Sequence, residues 1–275
     1  MQPTLYISVP HVEYETHWGL QAPPFENVPD PAYYFPSVKH EEARQRLLYG
    51  VHAQKGALLL TGEIGCGKTL LSRAIIVNLP RAKYDIALVA NPALPAMEFL
   101  TEVLYQLGIE ATGTKVQLLH HLNDRLLANQ QQGLETVLVV DEAQSIEDDR
   151  IFEDLRLLLN FQLNNRFLLT LVLMGQPELK ARVEAIPQLT QRIAIRYHLA
   201  PFNVEETSQY IRFRLKVAGS DREIFTKDAT YQIFQQSGGI SRVINSLCDL
   251  CLLLGYQEKT NQIDLPIVEH ASNVM

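Results

Sequence analysis

Gly62, Glu63, Ile64, Gly65, Cys66, Gly67, Lys68 and Thr69, with Leu70 next, fit G-x-x-x-x-G-K-[ST]. This pattern handles phosphate when a strand leads into it and a helix leads out. Its glycines let backbone N–H groups turn inward around an anion, and a helix starting near Lys68 aims its positive end there. Lys68 would then pair with the β- and γ-phosphates of ATP, and Thr69 would place its hydroxyl on Mg²⁺. A second chemical pair closes the apolar run Val137-Leu138-Val139-Val140, where Asp141 and Glu142 follow one another. Asp141 would organise the hydration shell of Mg²⁺, and Glu142 would take a proton from attacking water. Hydrolysis, beyond nucleotide binding, is the expected chemistry.

These groups need rigid elements behind them. Ala57-Leu58-Leu59-Leu60 reads as a buried strand before the loop, and 85–90 as a second strand stopped by Asn91-Pro92. Pro95 suits a helix start and Gly108 its stop. Thr114 with Gln117 forms a capping box ahead of Leu118, Leu119, Leu122, Leu126 and Leu127 at helical spacing. Residues 136–140 are apolar and β-branched, as in a strand covered on both faces of a parallel sheet. A leucine-rich helix is expected over roughly 150–163, a fourth strand over 167–174 and a short fifth over 195–199. Alternating strands and helices imply a right-handed, doubly wound sheet. Asn91, Asp141 and Gln176 then fall with the glycine loop at the carboxyl ends of the strands. After Pro201 helices are expected at about 203–217, 228–236 and 240–255, with Asn203 and Glu206 capping the first.

The resulting division is an aromatic- and proline-rich extended segment over 1–36, packed on the core; an α/β nucleotide-binding domain over 37–201; and an all-helical lid over 202–275. For the first segment two readings are open, an adenine-side lid and plain aromatic packing. The composition, 47% hydrophobic and 20% charged, is that of a globular protein and excludes a disordered or fibrous chain. No run is long enough to span a membrane, and the start lacks a basic region followed by an apolar one, so a cytoplasmic location is expected. Cys248 and Cys251 form C-x-x-C without a second ligand pair, which predicts two buried thiols. The net charge of −7 gives no general pull toward nucleic acid. Arg212, Arg214 and Lys216 do not make one helical stripe and read as a solvated surface, as do His120 and His121.

The order of glycine loop, intervening strand, Asp-Glu strand and polar-ended strand resembles that of the AAA+ ATPases. More closely, the sequence is similar to the ExeA/GspA-type ATPases of general secretion and the MshM-type ATPases of pilus biogenesis. The likeness runs over nearly the full length. It rests on Trp18-Gly19-Leu20, Pro24-Phe25, the glycine loop, Asn91-Pro92, Val140-Asp141-Glu142-Ala143-Gln144, Gly175-Gln176-Pro177-Glu178-Leu179, Gln191-Arg192-Ile193, Glu206-Thr207 and the segment Gly238 to Asn245 around Arg242. The resemblance implies a P-loop AAA+ doubly wound parallel five-stranded sheet with a C-terminal helical lid. It also implies roles. Gln176 would be a first sensor on the γ-phosphate or lytic water, and Arg242 a second sensor reaching from the lid. Asn91 would hold Glu142 from water until a partner binds, although an Asn at a strand end before proline needs no function. Arg192 and Arg196 are alternative arginine fingers completing a neighbouring subunit's site, with Arg192 preferred and both facing one way if the stretch is helical.

The partners expected from the resemblance are further copies of the chain, as an ATP-dependent ring or filament, and secretion or pilus assembly proteins, with a peripheral place at the inner membrane through them. ExeA-type proteins carry a membrane span and a periplasmic domain after the ATPase that are absent from this sequence. A soluble MshM-like protein and an isolated ATPase portion both fit. The alternative is a regulator of transposition resembling the TniB/TnsC group, which binds duplex DNA and recruits a transposase. A nucleotide-gated adaptor with negligible turnover is a third reading.

Overall fold

Leu58-Leu59-Leu60 and Val137-Leu138-Val139-Val140 offer no polar face to water. In the computed structural model, which describes residues 10–164 and 166–275, both runs lie inside one parallel sheet. The described residues open with α1 (Pro10–Trp18) and α2 (Val38–His52), then β1 (Ala57–Gly62), α3 (Lys68–Val77), β2 (Tyr84–Val89), α4 (Ala96–Gln106), α5 (Lys115–Gln131) and β3 (Glu135–Val140). It continues through α6 (Arg150–Leu158), β4 (Gln162–Leu163), β5 (Arg166–Phe167), β6 (Leu169–Gly175), α7 (Pro177–Glu184), α8 (Pro187–Thr190) and β7 (Ile193–Leu199). The last helices are α9 (Val204–Val217), α10 (Lys227–Ser237), α11 (Ser241–Gln257) and α12 (Leu265–Val274).

Two compact units divide these elements, and the larger comprises Val38–Ile64 with Lys68–Ala200. Its sheet has five strands in the order β2-β3-β6-β1-β7, every pairing parallel. Every residue of β1 and β6 is buried, whereas β7 alternates because it forms an edge. Leu59 is in register with Leu173, and Leu171 with Leu138, so leucines meet across the central strands. One face is closed by Phe99, Leu104, Leu118, Leu122, Phe152 and Leu155 from α4, α5 and α6. Burial of these side chains, each contributing on the order of 1.5–3 kcal/mol, anchors the sheet. The capping box at α5 is present in both directions. Because all the strands run one way, Gly62, Val89, Val140 and Gly175 end β1, β2, β3 and β6 at a common edge.

The smaller unit joins the described residues up to Ser37 to Gly65–Gly67 and Pro201–Met275. The first segment is not extended throughout, and its described residues group with the helical unit. Residues 10–18 form α1, and Trp18 is wholly buried with Nε1 donating to the Leu252 carbonyl at 2.9 Å. Tyr14, Phe25, Tyr210, Leu247 and Leu252 share that helical core, because an aromatic-rich segment buries most area against another apolar set left uncovered. Residues 1–9 lie outside the described part. Asn203 and Glu206 cap α9 reciprocally, as the sequence predicts. Cys248 and Cys251 are both buried; burial pushes the Cys248 thiol well up and that of Cys251 up to about 12.

Other departures have local causes. The leucine-rich helix α6 stops at Leu158, and Gln162–Leu163 pairs antiparallel with Arg166–Phe167 where helix was expected. Helix α12 was not anticipated, although Asp264 caps it by accepting from the Ile267 N–H and Pro266 sits in its first turn. Arg214 is buried, not solvated: its guanidinium donates to the carbonyls of Pro24 at 2.5 Å and Glu26 at 2.8 Å and lies over the Tyr33 ring. His120 and His121 are exposed. No helix among the described residues is long and apolar enough to cross a membrane.

Candidate active site

Lys68 is the first residue of α3, so its position is set by the chain leaving the glycine loop. The side chain is buried, and Nζ donates to the carbonyls of Gly62 at 2.8 Å and Glu63 at 3.0 Å. Gly65 and Gly67 have φ of +81° and +91°, a region that side-chain-bearing residues rarely adopt. A Cβ on Gly65 would stand 2.8 Å from Arg242 Cβ. Ser241 Oγ donates to the Gly65 carbonyl at 2.6 Å and the Arg242 N–H to the same oxygen at 3.2 Å, so the start of α11 holds the loop tip. The Arg242 side chain is exposed, as are Glu63 and Ile64; Cys66 is buried and Leu70 half-buried.

Thr69 Oγ1 donates to Asp141 Oδ2 at 2.8 Å, joining the first turn of α3 to the end of β3. Asp141 is buried, and its other oxygen accepts from the Glu142 N–H at 2.9 Å. Burial raises its pKa, an effect opposed by the Thr69 hydroxyl, the Glu142 N–H and the Lys68 charge. A hard divalent cation offsets this penalty, and a carboxylate beside a hydroxyl is an oxygen donor pair suited to Mg²⁺. The residues present therefore fit a magnesium nucleotide.

Glu142 has left-handed backbone, φ 49° and ψ 36°, which is rare for a residue with a side chain and recurs at functional sites. Its carbonyl accepts from the Ser145 N–H at 2.8 Å and Ser145 Oγ at 2.7 Å, which fixes the turn. Gln144 Nε2 donates to Glu142 Oε2 at 2.5 Å, and Gln176 Nε2 reaches the same oxygen at 3.4 Å. Gln176 sits just past β6 as the N-cap residue of α7, and Pro177 opens that helix. The larger unit thus brings Lys68, Thr69, Asp141, Glu142 and Gln176 to the carboxyl edge of its sheet.

Asn91 does not join them. It is exposed, and its Oδ1 accepts from the Ala93 N–H at 3.4 Å within its own turn. The groups that contact the Glu142 carboxylate in this structure are Gln144 and Gln176. Arg192 and Arg196 do not share a helical face, because β7 begins at Ile193 and Arg196 lies in that strand. Arg192 donates to the Leu159 carbonyl at 2.7 Å and Asn160 Oδ1 at 2.6 Å, while the exposed Arg196 donates to the Thr190 carbonyl at 2.7 Å. Sequence reasoning quoted Gln144 and Ser241 only as part of the family likeness and gave them no role, and it missed Arg182, whose Nη1 donates to the Gln144 carbonyl at 2.8 Å. Gln144 carried one signal, an amide two residues beyond the expected base.

The phosphate loop leaving β1 and the two carboxylates leaving β3, within the order β2-β3-β6-β1-β7, give the α/β P-loop architecture of AAA+ proteins. Residues 51–183 match the AAA domain family. Over 254 residues, 91% of the chain, the sequence is 39% identical to the General secretion pathway protein A of Aeromonas hydrophila, and it spans 46% of that protein's length. The chain thus carries an AAA domain over residues 51–183 and is similar to an ATPase of the ExeA/GspA type over most of its length. Solved structures agree on the fold. The Aeropyrum pernix ORC2 protein, in ADPNP–ADP complexes, superposes with a TM-score of 0.65 at 14% identity, over 91% of this chain and 69% of that one. Drosophila ORC bound to DNA gives 0.68 at 17% identity, over 98% and 68%. The Thermotoga maritima RuvB Holliday junction branch migration motor gives 0.58 at 21%, over 85% and 69%.

Proposed function

We propose that this chain hydrolyses ATP with Mg²⁺, works as an oligomer, and energises or regulates assembly of a bacterial secretion or pilus machine. The observation that carries the chemistry is the Thr69–Asp141 hydrogen bond with Glu142 next in the chain, which gathers cation ligands and a base at the edge where the phosphate loop starts. Lys68 and the loop amides would hold the phosphates, with Thr69 and Asp141 on the cation. When bound, Mg²⁺ supplies charge that stabilises the transferring phosphoryl group. Glu142 would accept the proton of the attacking water, and Gln176 would help fix the carboxylate or the water.

The machine is inferred from the likeness to the general secretion protein, of which this chain spans less than half. Of the basic residues Arg212, Arg214 and Lys216 on α9, Arg214 is buried in the helical core and offers no charge to DNA. The test of the chemistry is Glu142→Gln. It should bind ATP as the parent does while turnover falls by roughly 10²–10⁴-fold, the usual worth of a general base. Turnover near that of the parent would remove Glu142 from the base role.

A further inference from the structure

Resting on that hydrolytic reading, we infer that Gln144 is a positioning residue for turnover: its carboxamide fixes the Glu142 carboxylate and ties it to the start of α7. The amide spans two different partners. Nε2 donates to Glu142 Oε2 at 2.5 Å, and Oε1 accepts from the Gln176 backbone N–H at 2.9 Å. One orientation alone serves both, because a carboxylate only accepts and an N–H only donates. Gln144 therefore links the end of β3 to the end of β6 through a single side chain.

Its own placement is tightly determined. Arg182, on α7, donates to the carbonyls of Gln144 at 2.8 Å and Ile146 at 2.5 Å, and to Asp149 at 2.6 Å, with its guanidinium over the Phe152 ring. Gly175 supplies a second, independent sign that room is kept for the amide. A Cβ there would collide with Gln144 Oε1 and would also press on Leu179 Cδ2 at 2.9 Å and the Gln144 backbone nitrogen at 3.3 Å. Gly175 is not among the residues with positive φ, so space and not backbone freedom is what a side chain would violate. Among the described residues, Gln144 and Gln176 both place their donors on Oε2, and Oε1 of Glu142 accepts from none. The arrangement holds Oε2 and so sets the direction of Oε1. That is how a flexible carboxylate on a strained turn keeps one reactive direction.

Gln144→Glu separates positioning from support. The variant keeps the size and the acceptor for the Gln176 N–H but sets a carboxylate against Glu142, so a supporting role alone leaves turnover unchanged. We expect kcat for ATP to fall by roughly 10- to 10²-fold, the order expected when a reacting group is misplaced by about 1 Å. ATP affinity should stay as in the parent and the variant should remain folded at the assay temperature, with a midpoint lowered by repulsion between the two carboxylates. Gly175→Ala, which displaces the amide from outside, should lower kcat in the same way. In a Glu142→Gln background Gln144→Glu should add little, because the group it acts through is gone. The inference is overturned by parental or raised kcat in Gln144→Glu, by full additivity with Glu142→Gln, or by a fall in kcat that follows lost ATP affinity or folding. Parental turnover in Glu142→Gln alone would instead remove the underlying hydrolytic assignment, whatever Gln144→Glu does.

Discussion

Asp141 is where burial and charge oppose each other. The carboxyl is shut away from solvent at the end of β3, and the Thr69 hydroxyl and Glu142 N–H offset only part of the penalty on its ionised form. Since the folded-state pKa is raised above the unfolded one, the stability tied to this group is fully present below the ordinary aspartate range. It is lost as pH rises through the raised value. The nucleotide-free protein therefore carries a penalty at neutral pH that a bound cation relieves. Asp141→Asn should raise the thermal midpoint without nucleotide at pH 7, because it removes the buried charge. The same variant should lose the Mg²⁺-dependent part of stabilisation by ATP. Scanning calorimetry with and without Mg²⁺ checks both halves; a lowered midpoint would mean that the two hydrogen bonds outweigh burial. Glu142 offers a contrasting lesson in its left-handed backbone, a feature that residue type alone does not announce.

In the helical core, one buried guanidinium joins two elements. Arg214, on α9, has no carboxylate partner among its hydrogen bonds; it is satisfied by the carbonyls of Pro24 and Glu26 and the Tyr210 hydroxyl. Asn245, on α11, accepts from that hydroxyl and donates to Asn27, extending the tie. Arg214→Leu would strand the buried Pro24 carbonyl, at about 1–3 kcal/mol for a group left unsatisfied, and release the exposed Glu26. Limited proteolysis should then cut the variant within residues 23–30 well before the parent, and an unchanged pattern would show that the aromatic contacts suffice. This anchor was not legible, because a basic residue on a helix reads as solvated until the acceptors around it are known. Strands β1, β3 and β6 were legible, since continuous apolar runs bounded by glycine or acid residues have few other uses. So were the caps at Thr114 and Asn203, whose geometry is local. The antiparallel pairing of Gln162–Leu163 with Arg166–Phe167 was hidden by leucines that fit helical spacing as well, and α1 by the prolines and aromatics around it. For the candidate site, the loop and Asp141 were readable because their spacing is fixed by the chain. The Gln144 and Gln176 contacts depend on β3 and β6 being neighbours, which spacing alone does not specify.

For the whole chain, the open mechanistic matter is whether one copy completes another's site. Arg192 was the preferred finger on sequence grounds, yet its guanidinium bridges the Leu159 carbonyl and Asn160 just past α6. A cation with two acceptors already in place is committed to holding its own chain. Arg196 makes one bond, to Thr190, and stands exposed on the edge strand β7, so it is the better group to project toward a second copy. With a net charge of −7, copies of the chain repel one another at long range, and a guanidinium directed at bound phosphate would supply a local attraction. If Arg196 acts in trans, specific ATPase activity should climb with protein concentration. Arg196→Ala should flatten that climb by a factor of about 10³ at saturation, the lower range of an arginine finger. Arg192→Ala should leave the concentration dependence in place and lower the midpoint of urea unfolding. Activity independent of concentration in the parent would make each copy self-sufficient. A flattened climb in Arg192→Ala alone would return the role to the residue the sequence favoured.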